Sequence, residues 1–215
     1  TGTAEPDQIY AEAGDDSLAG LESNDYLEAA AGADTVDGGP GNELVIGGTG
    51  NDRIMGGSGA DVIYAGADAD EVISGAGEDH VFGQIGDDRL FGGPDDDNLY
   101  AGAGTDFVDG GSGSDRITSD GDATLLGGPG ADTINSTDGF EVTIDAGPDA
   151  DRVRTGGGRD EVDGGTGSDV IATGRGRDFV DAADGERDVV NCARGRDRVA
   201  ADDLDRVTNC EIREQ

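Results

Sequence analysis

The 215-residue chain contains no tryptophan and no lysine, one histidine, two cysteines and five prolines, and aromatic residues make up 4% of it. Each shortage excludes something. With hydrophobic residues at 33%, a globular core built from long helices is not expected. Fourteen basic residues, all arginine, stand against 49 acidic ones for a formal net charge of −35. A nucleic-acid surface needs clustered cations to neutralise phosphates, so no nucleic-acid partner is expected. No run of 18 apolar residues occurs, and no membrane span is expected. The segment from Thr1 has neither a basic stretch nor an apolar one; if the protein is exported, the expectation is that this is the mature form. His80 and the two cysteines cannot build a nitrogen or sulfur metal centre. Low hydrophobicity with high like charge is the composition of a disordered chain, so folding calls for counter-charge from outside.

What the chain has in excess is glycine, 41 residues of it, and acid, and both recur with a period of nine. Asp7, Asp16, Asp25, Asp34, Glu43, Asp52, Asp61, Asp70, Asp79, Asp88, Asp97, Asp106 and Asp115 are evenly spaced. The series resumes at Asp132, Asp151, Asp160, Asp169, Asp178, Asp188, Asp197 and Asp205. Thr124 and Val142 are expected to fill the two slots that lost a carboxylate, which makes 23 repeats. Two residues after each slot comes an aliphatic residue, such as Ile9, Leu18, Val45, Ile63, Leu99, Leu126 and Val199. Before each slot lie glycines, as in Gly47-Gly48-Thr49-Gly50-Asn51-Asp52, which permit positive φ and close backbone approach. Pro40, Pro94, Pro129 and Pro148 all sit in these turns and none in a strand. Each repeat therefore reads as a six-residue turn followed by a three-residue strand with one inward side chain.

This pattern resembles the Gly-Gly-x-Gly-x-Asp-x-aliphatic-x nonapeptide of the RTX (hemolysin-type) calcium-binding family over residues 2–208. The resemblance implies an all-β fold: a right-handed parallel β-roll, a solenoid of 11 to 12 coils with two short-stranded sheets and calcium in the turns. It implies that two nonapeptides make one coil, and that the acids of repeats n and n+2 share each ion with turn carbonyls. The acids of all 21 acidic slots are then the expected calcium ligands. Calcium accepts such oxygen donors in flexible geometry, and pairing slots one coil apart gives about 18 potential sites, enough to offset the net charge. A disordered metal-free form and a folded calcium form are expected. The competing reading is an Asp column that only caps turns. Turns such as Ala65-Gly66-Ala67-Asp68-Ala69-Asp70 depart from the full glycine pattern.

One coil also separates Cys192 from Cys210. Stacked on adjacent coils they fall within disulfide range, so a bridge stapling a C-terminal cap is expected, with two free thiols as the alternative. Such a bridge, and the resemblance of the ending to secreted RTX-like proteins, point to a secreted, extracellular or cell-surface location. Residues 1–187 read as the repeat body, disturbed near 119–145, and 188–215 as the final coils and cap. Leu44, Ile46, Val62, Tyr64, Phe82 and Tyr100 occupy outward strand positions one coil apart on one sheet. They form either a contact face or a ladder that steadies neighbouring strands. No Gly-x-Ser-x-Gly elbow, His-Glu-x-x-His or Walker lysine occurs, and no catalytic residue is assigned. The expected function is a calcium-folded structural or adhesive module that self-associates into a homo-oligomer or filament, or meets cell-surface or matrix components. The alternatives are an accessory domain of a secreted lipase, protease or polysaccharide-modifying enzyme, or an ice- or glycan-binding region.

Overall fold

The computed structural model describes residues 1–137 and 140–214, with the side chains of 212–214 left aside. Successive strands alternate between two parallel sheets of twelve strands each, one strand per coil in each sheet. Register runs coil on coil at a separation of 18, as in Val45 beside Ile63 and Ile63 beside Val81. The expected parallel solenoid is what the chain forms.

The aliphatic column explains why. One inward side chain per strand, Leu27, Val36, Val45, Ile54 and their successors, stacks along the axis with essentially no exposure. Small residues five positions before a slot, such as Ala29, Ala65 and Ala101, fill the remaining interior. The core is a single file on each sheet, and it buries little apolar area per residue.

Three features differ from the sequence reading. After a first coil whose strands, Gln8–Tyr10 and Ser17–Ala19, have the expected three residues, those from Tyr26–Ala31 to Asn98–Ala103 are six residues long, for example Leu44–Thr49 and Arg53–Ser58. Turns stack as regularly as strands do, so the first half of each turn continues the ladder, with Gly48 beside Gly66 and Thr49 beside Ala67.

Secondly, the slot one coil beyond Asp106 is Ala123, not Thr124. Asp106 pairs with Ala123 and Val108 with Leu125, so Leu125 is the buried member and Leu126 is half-exposed. The missing residue falls in the tight turn closed by the Ser119 hydroxyl and Gly121, ahead of the slot rather than after it. Val142 is a slot as expected, pairing with Ala123 and placing Ile144 inside. Phe140 stays partly exposed and is not part of that packing.

The third difference is a third sheet. Gly157–Gly158, Arg175–Gly176 and Arg194–Gly195 pair in parallel, so the C-terminal coils have three sides where the N-terminal ones have two. The Cys192–Cys210 disulfide joins adjacent coils, with Cα atoms 5.1 Å apart, as the one-coil spacing predicts.

Candidate metal ladder

Every slot residue lies at the end of a turn, just before its strand. Its side chain points back into the turn, where it meets the turn of the neighbouring coil. The slots leading into the first sheet (Asp7, Asp25, Glu43 and onward) make a first edge of the roll. Those leading into the second sheet (Asp16, Asp34, Asp52 and onward) make a second edge.

Along both edges one carboxylate oxygen has a fixed job. The backbone N–H of Asp34 donates to Asp52 Oδ1 at 2.9 Å, that of Asp52 to Asp70 Oδ1 at 2.8 Å, and that of Asp70 to Asp88 Oδ1 at 2.9 Å. On the first edge Asp61, Asp79 and Asp97 donate in the same way to Asp79, Asp97 and Asp115, each at 2.8 Å. The bond survives both irregular spacings, from Asp115 to Asp132 and from Asp132 to Asp151, each at 2.7 Å.

The second oxygen has none. Oδ2 of Asp25, Asp34, Asp52, Asp61, Asp70, Asp79, Asp88, Asp97, Asp106, Asp115, Asp132, Asp151, Asp160, Asp169, Asp178 and Asp197, and both carboxylate oxygens of Glu43, are buried without a hydrogen-bond partner. A buried anion in this state is costly unless a cation meets it. Burial accordingly pushes these carboxyls up: Glu43 and Asp97 to about 8, Asp70, Asp132 and Asp151 to about 7, and Asp79, Asp88, Asp115 and Asp169 to about 6; the buried Asp188 is likewise raised to about 6. No arginine meets these unpartnered oxygens; Arg53 pairs with Glu71 on the outer surface.

The donor set fits calcium. Among the described residues no three acidic, histidine or cysteine side chains converge, so carboxylates meet in pairs and the remaining oxygens come from the backbone. The turn supplies them at close range: a Cβ placed on Gly57 would lie 1.9 Å from the Gly39 carbonyl oxygen, and one on Gly56 would lie 2.6 Å from Asp61 Oδ2. Paired carboxylates beside stacked carbonyls are hard oxygen ligands without nitrogen or sulfur.

The expected ligands do not all share this geometry. Asp7 Oδ2 is taken by the Thr3 hydroxyl at 2.9 Å, and Asp205 Oδ2 by the Asp202 N–H at 2.8 Å. Asp7, Asp16 and Asp205 are half-buried, as befits the ends of a stack. One slot was missed: Glu211, only 14 residues beyond Asp197, accepts the Asp197 N–H at 2.7 Å. The shortened spacing hid it.

A second ladder was also missed. The residue before a slot accepts an N–H from the coil above: Asn24 from Asn42, Asn42 from Ala60, Asp87 from Thr105 and Asp96 from Ser114, at 2.7 to 3.0 Å. Asn and Asp at that position were the available signal, since these side chains bond neighbouring backbone in turns.

The outward residues Leu44, Ile46, Val62, Tyr64, Phe82 and Tyr100 are all half-buried. Tyr64, Phe82 and Tyr100 stack with centroids 4.8 and 4.9 Å apart and interplanar angles of 10° and 4°. They cover one another as a ladder. On the other sheet Arg89 lies over the rings of Phe91 and Phe107.

The family model described as the RTX calcium-binding nonapeptide repeat (4 copies) matches residues 1–27, 10–45, 20–54, 46–81, 82–117, 117–139 and 145–180. No curated protein matches the chain, and no solved structure does.

Proposed function

Because the chain belongs to the RTX calcium-binding nonapeptide repeat family, we propose that it is a calcium-folded structural module that works outside the cell as a stiff spacer or adhesive element. It is a calcium-binding repeat module on family grounds. The finer reading rests on one observation, the row of buried, unpartnered carboxylate oxygens at one-coil spacing. Bound calcium supplies the positive charge that lets these carboxylates remain ionised inside the turns.

The chain's own residues then divide the work. Asp Oδ1 atoms tie each coil to the one before through backbone N–H groups, while Oδ2 atoms and turn carbonyls are the ligands. The aliphatic file fixes register, because a slip by one residue would turn it outward. Residues 1–187 are the repeat body, and 188–215 the cap held by Cys192 and Cys210. The disulfide supports an oxidising setting. Lateral association into a homo-oligomer or filament uses the stacked ring face.

The test is far-ultraviolet circular dichroism and sedimentation velocity on the full chain, in chelator and then through a calcium titration to millimolar. A cooperative gain of β signal with compaction, absent with magnesium, is expected. A chain already folded and unchanged in chelator overturns the calcium-folding reading. Sedimentation that stays monomeric at every protein concentration removes self-association and leaves the spacer role.

A further inference from the structure

On the second edge the chain changes what it offers. Through Gly102 and Gly104 the turns keep paired positive-φ positions, which the first edge retains as far as Gly165 and Gly167. Beyond them the second-edge slots are Ala123 and Val142, both buried. The next three turns, 155–160, 173–178 and 192–197, straighten into the third sheet.

The position before the slot changes with them. Where Asn51 and Asp87 accept N–H groups in earlier coils, the later coils carry Arg159, Arg177 and Arg196, with Arg175 and Arg194 two residues earlier in two of them. Alternate residues of an extended strand share a face. Five exposed guanidiniums therefore project from three successive coils at the coil spacing of about 4.8 Å. None of the five makes an ion pair among the described residues, although the chain has 49 acidic side chains. Like charges stacked this closely repel one another. Beside them lies a groove of about 490 Å³, lined by Arg159, Arg177, Thr124 and Thr143 together with the acids Asp122, Glu141, Asp160 and Glu161, so the basic row is the arginine strands themselves rather than the groove floor.

We propose that this edge binds an acidic polysaccharide, a single extended chain bearing carboxylate or sulfate groups. The arginine rows run along the roll axis, so they suit a linear ligand. Guanidinium forks meet carboxylate or sulfate with two parallel hydrogen bonds, which an ammonium does not. The threonine hydroxyls of the groove match sugar hydroxyls. A rigid duplex would meet the repulsion of the acidic coils on either side, whereas one sparsely charged strand follows the basic row alone. The inference needs a folded roll and does not depend on which acids hold calcium.

The test uses the full calcium-loaded chain on surfaces of immobilised dextran sulfate, a polyuronate and neutral dextran, at rising salt. Wild type is expected to bind one or both acidic polymers and not dextran, and the tighter of the two identifies the recognised group. The triple variant R159Q/R177Q/R196Q is expected to lose at least about tenfold in affinity, from the lost charge-assisted hydrogen bonds, while R116Q binds as wild type does. Circular dichroism in calcium establishes that each variant is folded. Wild type that binds neither polymer overturns the proposal. So does a triple variant that binds as tightly as wild type, since calcium bridging to the acidic coils would then explain retention. Wild-type dimers that the triple variant lacks, and that neither polymer displaces, make the occupant a second copy and overturn it as well.

Discussion

Gly59 shows how little freedom a single turn position has. Its φ is 126°, and a Cβ there would sit 1.5 Å from the Gly41 carbonyl oxygen of the coil before. Gly59→Ala therefore combines left-handed strain with a clash against backbone and should cost about 1–3 kcal/mol, read as a rise in the calcium concentration at half-folding. The same measurement separates the two jobs of an aspartate. Asp97→Asn keeps an oxygen to accept the Asp79 N–H, a bond of 2.8 Å, and removes the charge. It should raise the calcium midpoint while leaving the calcium-saturated spectrum unchanged; an unchanged midpoint would show that Asp97 is not a ligand. At this scale the slot and aliphatic columns were readable because each recurs with one period. Ala123 was not, because a deleted residue shows in the spacing only as a sum between Asp115 and Asp132, and the sum does not say on which side of the slot the turn tightened.

At the scale of a ladder, the carboxyls act together and pH becomes a probe of the metal. Burial raises them to about 6 to 8, so the metal-free roll binds more protons than the unfolded chain does. The stability this lends is fully present below about pH 4, the unfolded carboxyl range, and is lost as pH rises through 6 to 8. In chelator, β signal should therefore appear on acidification and vanish by pH 8, and calcium should restore it at pH 8. Metal-free circular dichroism that is flat from pH 4 to 8 would count against the ladder as the source of calcium dependence. The parallel stacking of strands was legible from the period alone. The third sheet at Gly157–Gly158, Arg175–Gly176 and Arg194–Gly195 was not. These turns keep an aspartate and some glycines, and what changes is the backbone at Gly156, Gly174, Gly176 and Gly195, which leaves the left-handed region of the earlier turns, a choice glycine leaves undetermined.

Across the whole molecule the two edges are unequal, and that sets how much metal the roll takes up. The first edge carries buried or half-buried carboxylates in an unbroken series from Asp25 through Glu43 and Asp97 to Asp188, over turns that keep paired positive-φ glycines as far as Gly165 and Gly167 and a single one, Gly185, before Asp188. The second edge does so only from Asp16 to Asp106; then come Ala123 and Val142, and after them the arginine-bearing turns. Calcium beside Arg159, Arg177 and Arg196 would meet like charge. Counting neighbouring pairs in intact turns gives about 14 ions rather than the 18 that spacing alone suggests. Calcium content by native mass spectrometry should fall near that value. A count near 18 would mean that the third-sheet turns open to take metal. The cap bears on the same balance from the other end. Cys192→Ser with Cys210→Ser frees a loop of about 18 residues and should cost about 3 kcal/mol. Because the last second-edge coils gain least from metal, excess calcium should not restore that loss, whereas it should largely restore Asp97→Asn. Calcium titrations of the two variants against wild type, followed by thermal melts at saturation, distinguish a coil held by its disulfide from one held by its ions.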